Sequence, residues 1–159
     1  MRYHRLLITM ALLVSAAPSI RAQDAERSAV LATVQKLFTG MRTRDTAAIV
    51  EAFDSTARMV GVSRDGSRLT LTPPAGFAAG VARAKAGDVW NERIFDPEVR
   101  IDGSVAQVWT YYTFHLNGKF SHCGFDAFML RKVGGTWKIT QLADTQRREG
   151  CTHTEPIDG

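Results

Sequence analysis

Apolar residues in the first third of the chain recur at the spacing of amphipathic helices. Across Asp24–Met41 they fall three or four positions apart, which predicts a helix with one buried face. Asp45 is a suitable N-cap for a second, short helix over 46–53. Pro74 predicts the start of a third helix, because the first turn of a helix tolerates proline. The first half of the chain is therefore mainly helical.

The rest of the chain has the alternation and turn residues of strands. Strands are predicted over 59–62, 69–71 and 89–101 and within 105–145. Asn117-Gly118 and Gly134-Gly135 are suited to hairpin turns. Pro97 interrupts a long strand and predicts a bulge or a sheet edge, because proline cannot donate to the ladder. The predicted fold class is α+β: a cone-shaped, strongly bent antiparallel sheet wrapped around about three helices from the N-terminal half.

The beginning of the chain has the composition of a secretory signal peptide. Arg2 and Arg5 form a basic segment, and Leu6–Ala17 is an apolar run too short to span a bilayer as a helix. Ala22 is a small residue suited to cleavage. We therefore expect residues 1–22 to be removed and the mature protein to be secreted or periplasmic.

Loss of the signal peptide nearly neutralises the chain. The 20 Lys+Arg, less the three arginines of the signal peptide, leave 17 against 16 Asp+Glu, a formal net charge of +1. No basic run with interleaved aromatic residues follows, so we expect no nucleic-acid partner and no membrane association after cleavage. The mature length suits one domain over 23–151, and the polar composition of 152–159 predicts a disordered tail.

The hairpin turns predict which residues of the sheet share a face. With Asn117-Gly118 as a two-residue loop, Trp109 is expected opposite Asp126. One face then mixes aromatic and ionisable groups, whereas the other is more uniformly apolar. We expect a ligand pocket on the mixed side, lined by Trp90, Glu92, Gln107, Trp109, Tyr111, His122, Asp126, Phe128 and Gln141.

Asp126 and His122 are the candidate catalytic residues. Partial burial would raise the pKa of the Asp126 carboxyl, which suits a general base that abstracts a proton next to a carbonyl. In the competing structural interpretation, Asp126 accepts a hydrogen bond from the indole of Trp109 or Trp137, or from a tyrosine, and only closes the sheet. His122 lies roughly 13 Å from Asp126 along the strand, so the two cannot bond directly. Glu92 is the carboxylate expected to approach His122 across the neighbouring strand.

The two cysteines, Cys123 and Cys151, suit a disulfide in an exported chain. Two free thiols, one of them buried, are the alternative. His115, His122, Cys123 and His153 lack the spacing of a metal site, so we expect no metal. The sequence predicts no cofactor.

The whole mature chain resembles the nuclear transport factor 2-like superfamily, and within it small secreted bacterial members named SnoaL-like or "putative lumazine-binding". The resemblance is carried by VQKLFTGMRTRDTAAIVEAF, SHCGFDAF and GGTWKITQLADT. The superfamily contains isomerases, dehydratases and cyclases as well as binding modules, so it implies a fold rather than one activity. It also implies a pocket on the concave face of the sheet and a homodimer through the convex face.

Three functions remain open. The first is an exported module that binds an unknown small, cyclic or hydrophobic ligand or another partner. The alternative is a small isomerase, dehydratase or cyclase that acts on a cyclic carbonyl compound, with Asp126 as base and His122 or Tyr111 assisting. The third is a structural dimer whose cone is filled by its own side chains. The first helix lacks the tyrosine found in the superfamily's ketosteroid isomerase, and Asp54 only approximates the position of its base, which weakens the catalytic interpretation.

Overall fold

Three helices and a six-stranded sheet make up the fold of the described residues, which confirms the predicted α+β class. The structure is a computed structural model that describes residues 20–158. The helices are α1 (Ile20–Thr43), α2 (Thr46–Ala52) and α3 (Pro74–Ala82). The strands are β1 (Phe53–Ser63), β2 (Leu69–Thr72), β3 (Trp90–Asp102), β4 (Val105–Leu116), β5 (Lys119–Val133) and β6 (Thr136–Gln146).

The six strands lie in the order β2-β1-β6-β5-β4-β3. Neighbours are antiparallel except β1 and β6, which run parallel, so the sheet is mixed where the sequence predicted antiparallel pairing throughout. Strands β3 to β6 form a continuous meander. Its last strand, β6, lies beside β1 and runs in the same direction, which gives the one parallel pair among the described strands. The sheet does not close, and the helices pack against its concave face.

Three extra residues interrupt the antiparallel ladders. In β3 the register shifts between Phe95 and Glu98, around the predicted interruption at Pro97. In β5 Ser121 is extra, because Phe114 pairs with His122 whereas His115 pairs with Phe120. In β6 the pairing shifts in the same way at Thr140. Each extra residue turns the following side chains to the other face of the sheet.

The main core fills the space between the helices and the concave face. Val34 and Leu37 of α1, Ile49 of α2, and Phe128 and Ile139 of the sheet are almost completely buried there. The helices meet closely at Gly40, where an added Cβ would lie 2.9 Å from Ile49 Cγ1. The Asp45 carboxylate caps α2 by accepting a hydrogen bond from the Ala48 N–H at 2.9 Å.

The end of the chain packs on the convex face. Cys123 and Cys151 form a disulfide that fixes the start of this segment. The Tyr111 hydroxyl accepts from the Thr152 N–H at 2.9 Å, and the Ile157 N–H donates to the Gly118 carbonyl at 3.0 Å. These contacts join the segment to the sheet at Thr152 and Ile157, and the disorder that composition predicts for 152–159 stays a prediction.

The predicted signal peptide lies largely outside the described residues, since only its last three residues fall within α1. Its cleavage therefore stays a prediction. Among residues 20–158, no helix combines the length and apolar character needed to cross a bilayer.

Candidate functional site

A cavity of about 410 Å³ lies between the concave face of the sheet and the helices. Its walls are mainly apolar: Leu37, Phe38, Met41, Met59, Phe77, Ala84, Trp90, Phe114, Leu116 and Leu142. Its polar and ionisable lining residues are Asp88, Glu92, Tyr112, His122, Asp126, Asp144 and Gln146. An apolar enclosure with a few converging polar groups is the usual form of a small-molecule site.

Three carboxyl groups from three strands line this cavity. Glu92 comes from β3, Asp126 from β5 and Asp144 from β6. Asp126 and Asp144 are directly paired in the ladder, so both side chains leave the same face of the sheet. Among residues 20–158 no lysine or arginine lines the cavity, so no protein cation shares this enclosure with the acids.

Asp126 is the most buried of the three, with 1% of its surface exposed. No donor among the described residues reaches its Oδ2 atom. Burial raises the pKa of the Asp126 carboxyl well above its usual value, and the charges of Glu92 and Asp144 raise it further. Asp126 therefore keeps its proton to a higher pH than an ordinary aspartate does.

Neither indole considered from the sequence bonds to Asp126. The Trp137 Nε1–H donates to the Glu26 carboxylate at 3.0 Å. Trp109 lies on the convex face, where its ring stacks on Phe125 with centroids 5.2 Å apart. The interpretation in which Asp126 accepts a hydrogen bond from an indole is therefore wrong.

Glu92 and Asp144 also have raised pKa values. Burial raises the pKa of the half-buried Glu92 to about 8, although a hydrogen bond with Asp126 opposes the increase. Burial raises the pKa of Asp144 to about 6. The cluster thus changes its charge within the physiological pH range.

Tyr112 packs beside the carboxyl cluster. Its buried hydroxyl donates to the Thr145 carbonyl at 2.9 Å. The ring can cross β5 only because position 124 is glycine: an added Cβ would lie 2.8 Å from the Tyr112 ring and 1.7 Å from the Thr145 oxygen. This glycine in SHCGFDAF therefore positions the cavity floor. Burial and the three carboxyl groups raise the pKa of Tyr112, so the hydroxyl stays neutral.

His122 lines the cavity away from a carboxylate partner. Its ring stacks on Phe114 with centroids 4.9 Å apart, and its Nδ1 lies 3.1 Å from the Ser121 hydroxyl. Burial and the Arg148 charge lower the pKa of His122. Phe114 stands between His122 and Glu92 in the ladder, so the predicted pair between them is not formed.

The structure places the predicted pocket residues in three locations. Trp90, Glu92, His122 and Asp126 line the cavity. Phe128 is completely buried in the core, edge-on to Phe38. The remaining four are on the convex face, which corrects their assignment: Gln107, Trp109, Tyr111 and Gln141.

The extra residue at Ser121 explains the incorrect face for β4. It shifts the register by one, so Trp109 pairs with Ala127 and Thr110 with Asp126. The extra residue at Thr140 likewise brings Asp144 into the cavity, and the sequence analysis missed it. The signal in the sequence was the spacing of Ile139 and Leu142, which are both buried. They are three positions apart, and strict alternation would place them on opposite faces of the sheet.

Asp54, the carboxyl group near the position expected for an isomerase base, has a structural role. The Asp54 carboxylate accepts from the Thr56 N–H and hydroxyl and pairs with Arg131 at 2.6 Å. These partners lower the pKa of Asp54 to about 2, which suits a structural ion pair rather than a base. Within residues 20–158 no group of histidine, cysteine or acidic side chains is arranged to hold a metal ion.

Residues 25–142 match the family described as "Putative lumazine-binding". The chain belongs to this family. A protein of unknown function from Mycobacterium tuberculosis is similar in structure, with a TM-score of 0.69, 17% identity and coverage of 84% of this chain and 78% of that one. An NTF2-like protein of unknown function from Shewanella baltica OS155 has a TM-score of 0.61 and 20% identity, over 79% and 97% of the two chains.

A conserved protein from Planctomyces limnophilus has the same architecture, with a TM-score of 0.66 and 14% identity, over 78% of this chain and 98% of that chain. At these identities the similarity shows the nuclear transport factor 2-like fold alone, and this fold is the one that the sequence resemblance implied. No curated protein sequence matches the chain significantly. The chain therefore has this family's fold, and the chemistry of the cavity determines which ligand it can hold.

Proposed function

We propose that this protein is a small-ligand-binding module and that its ligand occupies the cavity between the helices and the sheet. The observation that carries the proposal is the enclosure itself, about 410 Å³ in volume, apolar in its walls and acidic at Glu92, Asp126 and Asp144. Its size lies within the range of about 300–1,000 Å³ usual for small-molecule sites. The aromatic rings of Phe77, Trp90 and Phe114 favour a cyclic ligand.

A screen of small cyclic compounds by thermal unfolding tests this proposal. A true ligand at a hundredfold excess over its Kd stabilises the fold by about 2.7 kcal/mol, so Tm rises. Ala84→Trp places an indole in the cavity and is expected to abolish the rise. Ala86→Trp, an exposed position outside the lining two residues later, should retain it. Equal stabilisation of both variants would place binding elsewhere and contradict the proposal.

Export of this module is supported by the composition of residues 1–22 and by the disulfide, which persists in oxidising compartments. We expect the protein made from the full chain to begin at Gln23 and to be secreted or periplasmic. The intact mass of the purified protein tests the cleavage site. A cytosolic product that retains residues 1–22 would contradict it.

The convex face supports a homodimer. Trp109 and Met129 are 44% and 39% exposed on that face, and Phe125 stacks on Trp109. An exposed apolar area of this kind favours association. Light scattering should give a dimer for the wild type and a monomer for Trp109→Glu. A dimer in both would place the contact elsewhere, and a monomeric wild type would contradict the proposal.

Proton-transfer catalysis is a second candidate, favoured by the raised pKa values of Asp144 and Glu92 beside one cavity. Asp144, with the lower pKa of these two groups, is the better base, and Glu92 is the better acid for isomerising a cyclic carbonyl compound. Turnover should then follow a bell-shaped pH profile and be lost in Asp144→Asn. If the wild type does not turn over the ligands found in the thermal-unfolding screen, binding is the remaining function.

A further inference from the structure

We propose that the ligand carries a positive charge, as a protonated amine or basic nitrogen heterocycle, which binds between Glu92, Asp126 and Asp144. This inference rests on the proposed function, because it assigns a chemical class to the occupant of the same cavity. It begins from Asp126 Oδ2, an oxygen buried in the protein without a donor among residues 20–158. A buried acceptor of this kind is satisfied by a proton from a neighbouring carboxyl or by a donor on the ligand.

The charges around the cluster favour a cation over a neutral donor. Elsewhere this chain pairs a buried carboxylate with its own cation, as Asp54 pairs with Arg131 at 2.6 Å. The cavity has four carboxyl groups, those of Asp88, Glu92, Asp126 and Asp144, and no lysine or arginine among its described lining residues. Burying uncompensated charge is costly, so the apo cluster keeps protons that a bound cation can replace.

The walls of the cavity also suit an organic cation. Trp90 and Phe114 meet edge-on with ring centroids 5.8 Å apart, and both line the cavity together with Phe77. Aromatic faces attract cations, most strongly when water is excluded. No described group of side chains has the arrangement of a metal site, so the aromatic and apolar walls indicate an organic cation.

The other ionisable groups near the cluster come from several elements. Tyr112 of β4 stays neutral, His122 of β5 has a lowered pKa, and Asp88 comes from the segment before β3. The lining residues from α1, α3 and β1 are all apolar. Arg147 follows the end of β6 and lies over Tyr111 and Phe125 on the convex face. Two more arginines lie outside the lining: Arg68 lines an adjoining pocket that shares Asp144, and Arg148 lowers the pKa of His122. No lysine or arginine among the described residues therefore lies in the cavity lining.

A matched set of three probes tests the inference: 2-naphthylmethylamine, 2-naphthylmethanol and 2-naphthoate, which share a ring system and differ in charge. Calorimetry with protein purified from the full chain should show the amine binding about tenfold more tightly than the alcohol, because charge-assisted bonds are about twice as strong. The carboxylate should bind most weakly. Glu92→Gln should remove most of the preference, whereas Glu98→Gln, an exposed acid on the same strand, should keep it.

The pH dependence gives a second readout that does not require a variant to fold. Between pH 6 and pH 8 the free cluster holds protons that the bound cation displaces, so affinity for the amine should rise with pH. The affinity for the alcohol should not rise. An alcohol that binds as tightly as the amine, or an amine affinity independent of pH, overturns the inference.

The outcomes also separate this inference from the proposed function. If the screen of cyclic compounds finds cavity ligands but the amine shows no advantage over the alcohol, only the charge assignment fails. If neither the screen nor the three probes give binding that Ala84→Trp blocks, both fail. Binding of the amine that Ala84→Trp blocks and Glu92→Gln weakens supports both.

Discussion

At the scale of single residues, the site depends on carboxyl groups that are removed from water, where their ionised form is costly. The pKa of Asp126 is raised because its carboxyl is buried next to Glu92 and Asp144. The folded protein therefore binds more protons than the unfolded chain between the ordinary carboxyl pKa and that of the cluster. By linkage, these groups stabilise the fold relatively more at low pH, and that contribution declines as pH rises to about 8, the pKa of Glu92.

Asp126→Asn tests this linkage. The amide cannot ionise, so the free energy of unfolding at pH 8 should increase by about 1–3 kcal/mol, with a smaller change at pH 5. Urea unfolding at the two pH values measures both effects. Glu98→Gln is the control, because Glu98 is exposed and its removal should leave the pH dependence unchanged. A destabilised Asp126→Asn at pH 8 would show that the carboxylate is needed by the fold.

Gly124 determines whether Tyr112 and β6 can approach each other. Gly124→Ala should lower the free energy of unfolding by about 3 kcal/mol or more, since its Cβ would lie 1.7 Å from the Thr145 oxygen. Gly80→Ala in α3 has no atom within 4 Å of the added Cβ and should be neutral or stabilising by up to about 1 kcal/mol. Chemical denaturation of both variants is the measurement, and similar behaviour would contradict this packing.

At the scale of elements, the positions of the turns could be predicted from the sequence better than the face of the sheet on which each side chain lies. Asn117 and Gly118 both have positive φ, as their hairpin turn requires. Asp45 and Pro74 begin helices as expected. Ser121 and Thr140 carry no glycine or proline signal, yet each reverses the alternation of its strand. Asp126 could therefore be singled out from the sequence, whereas Asp144 and Tyr112 could be assigned to the site only from the folded register.

The disulfide between Cys123 and Cys151 joins β5 to the terminal segment. In the chain-entropy picture, closing this loop of 28 residues stabilises the fold by about 3–4 kcal/mol. Cys123→Ala/Cys151→Ala should lose most of that stability, measured by denaturant unfolding. Hydrogen exchange at Ile157, whose N–H bonds to Gly118, should also accelerate. Unchanged exchange would show that the segment is held without the disulfide.

At the scale of the whole molecule, the two faces of one sheet serve different purposes. The concave face and the helices enclose the cavity, whereas the convex face holds the terminal segment and leaves Trp109 exposed. The family and fold fix this division, but many functions share the fold. The account therefore depends on the cavity being the place where a ligand binds.

Methyl NMR of selectively labelled methionines tests that claim most directly. From Gln23 onward the chain has three methionines: Met41 and Met59 line the cavity, and Met129 lies on the convex face. The account predicts that ligands from the cyclic-compound screen shift the signals of Met41 and Met59 and leave that of Met129 unchanged. Shifts confined to Met129 would contradict it, because binding would then occur on the convex face of the sheet.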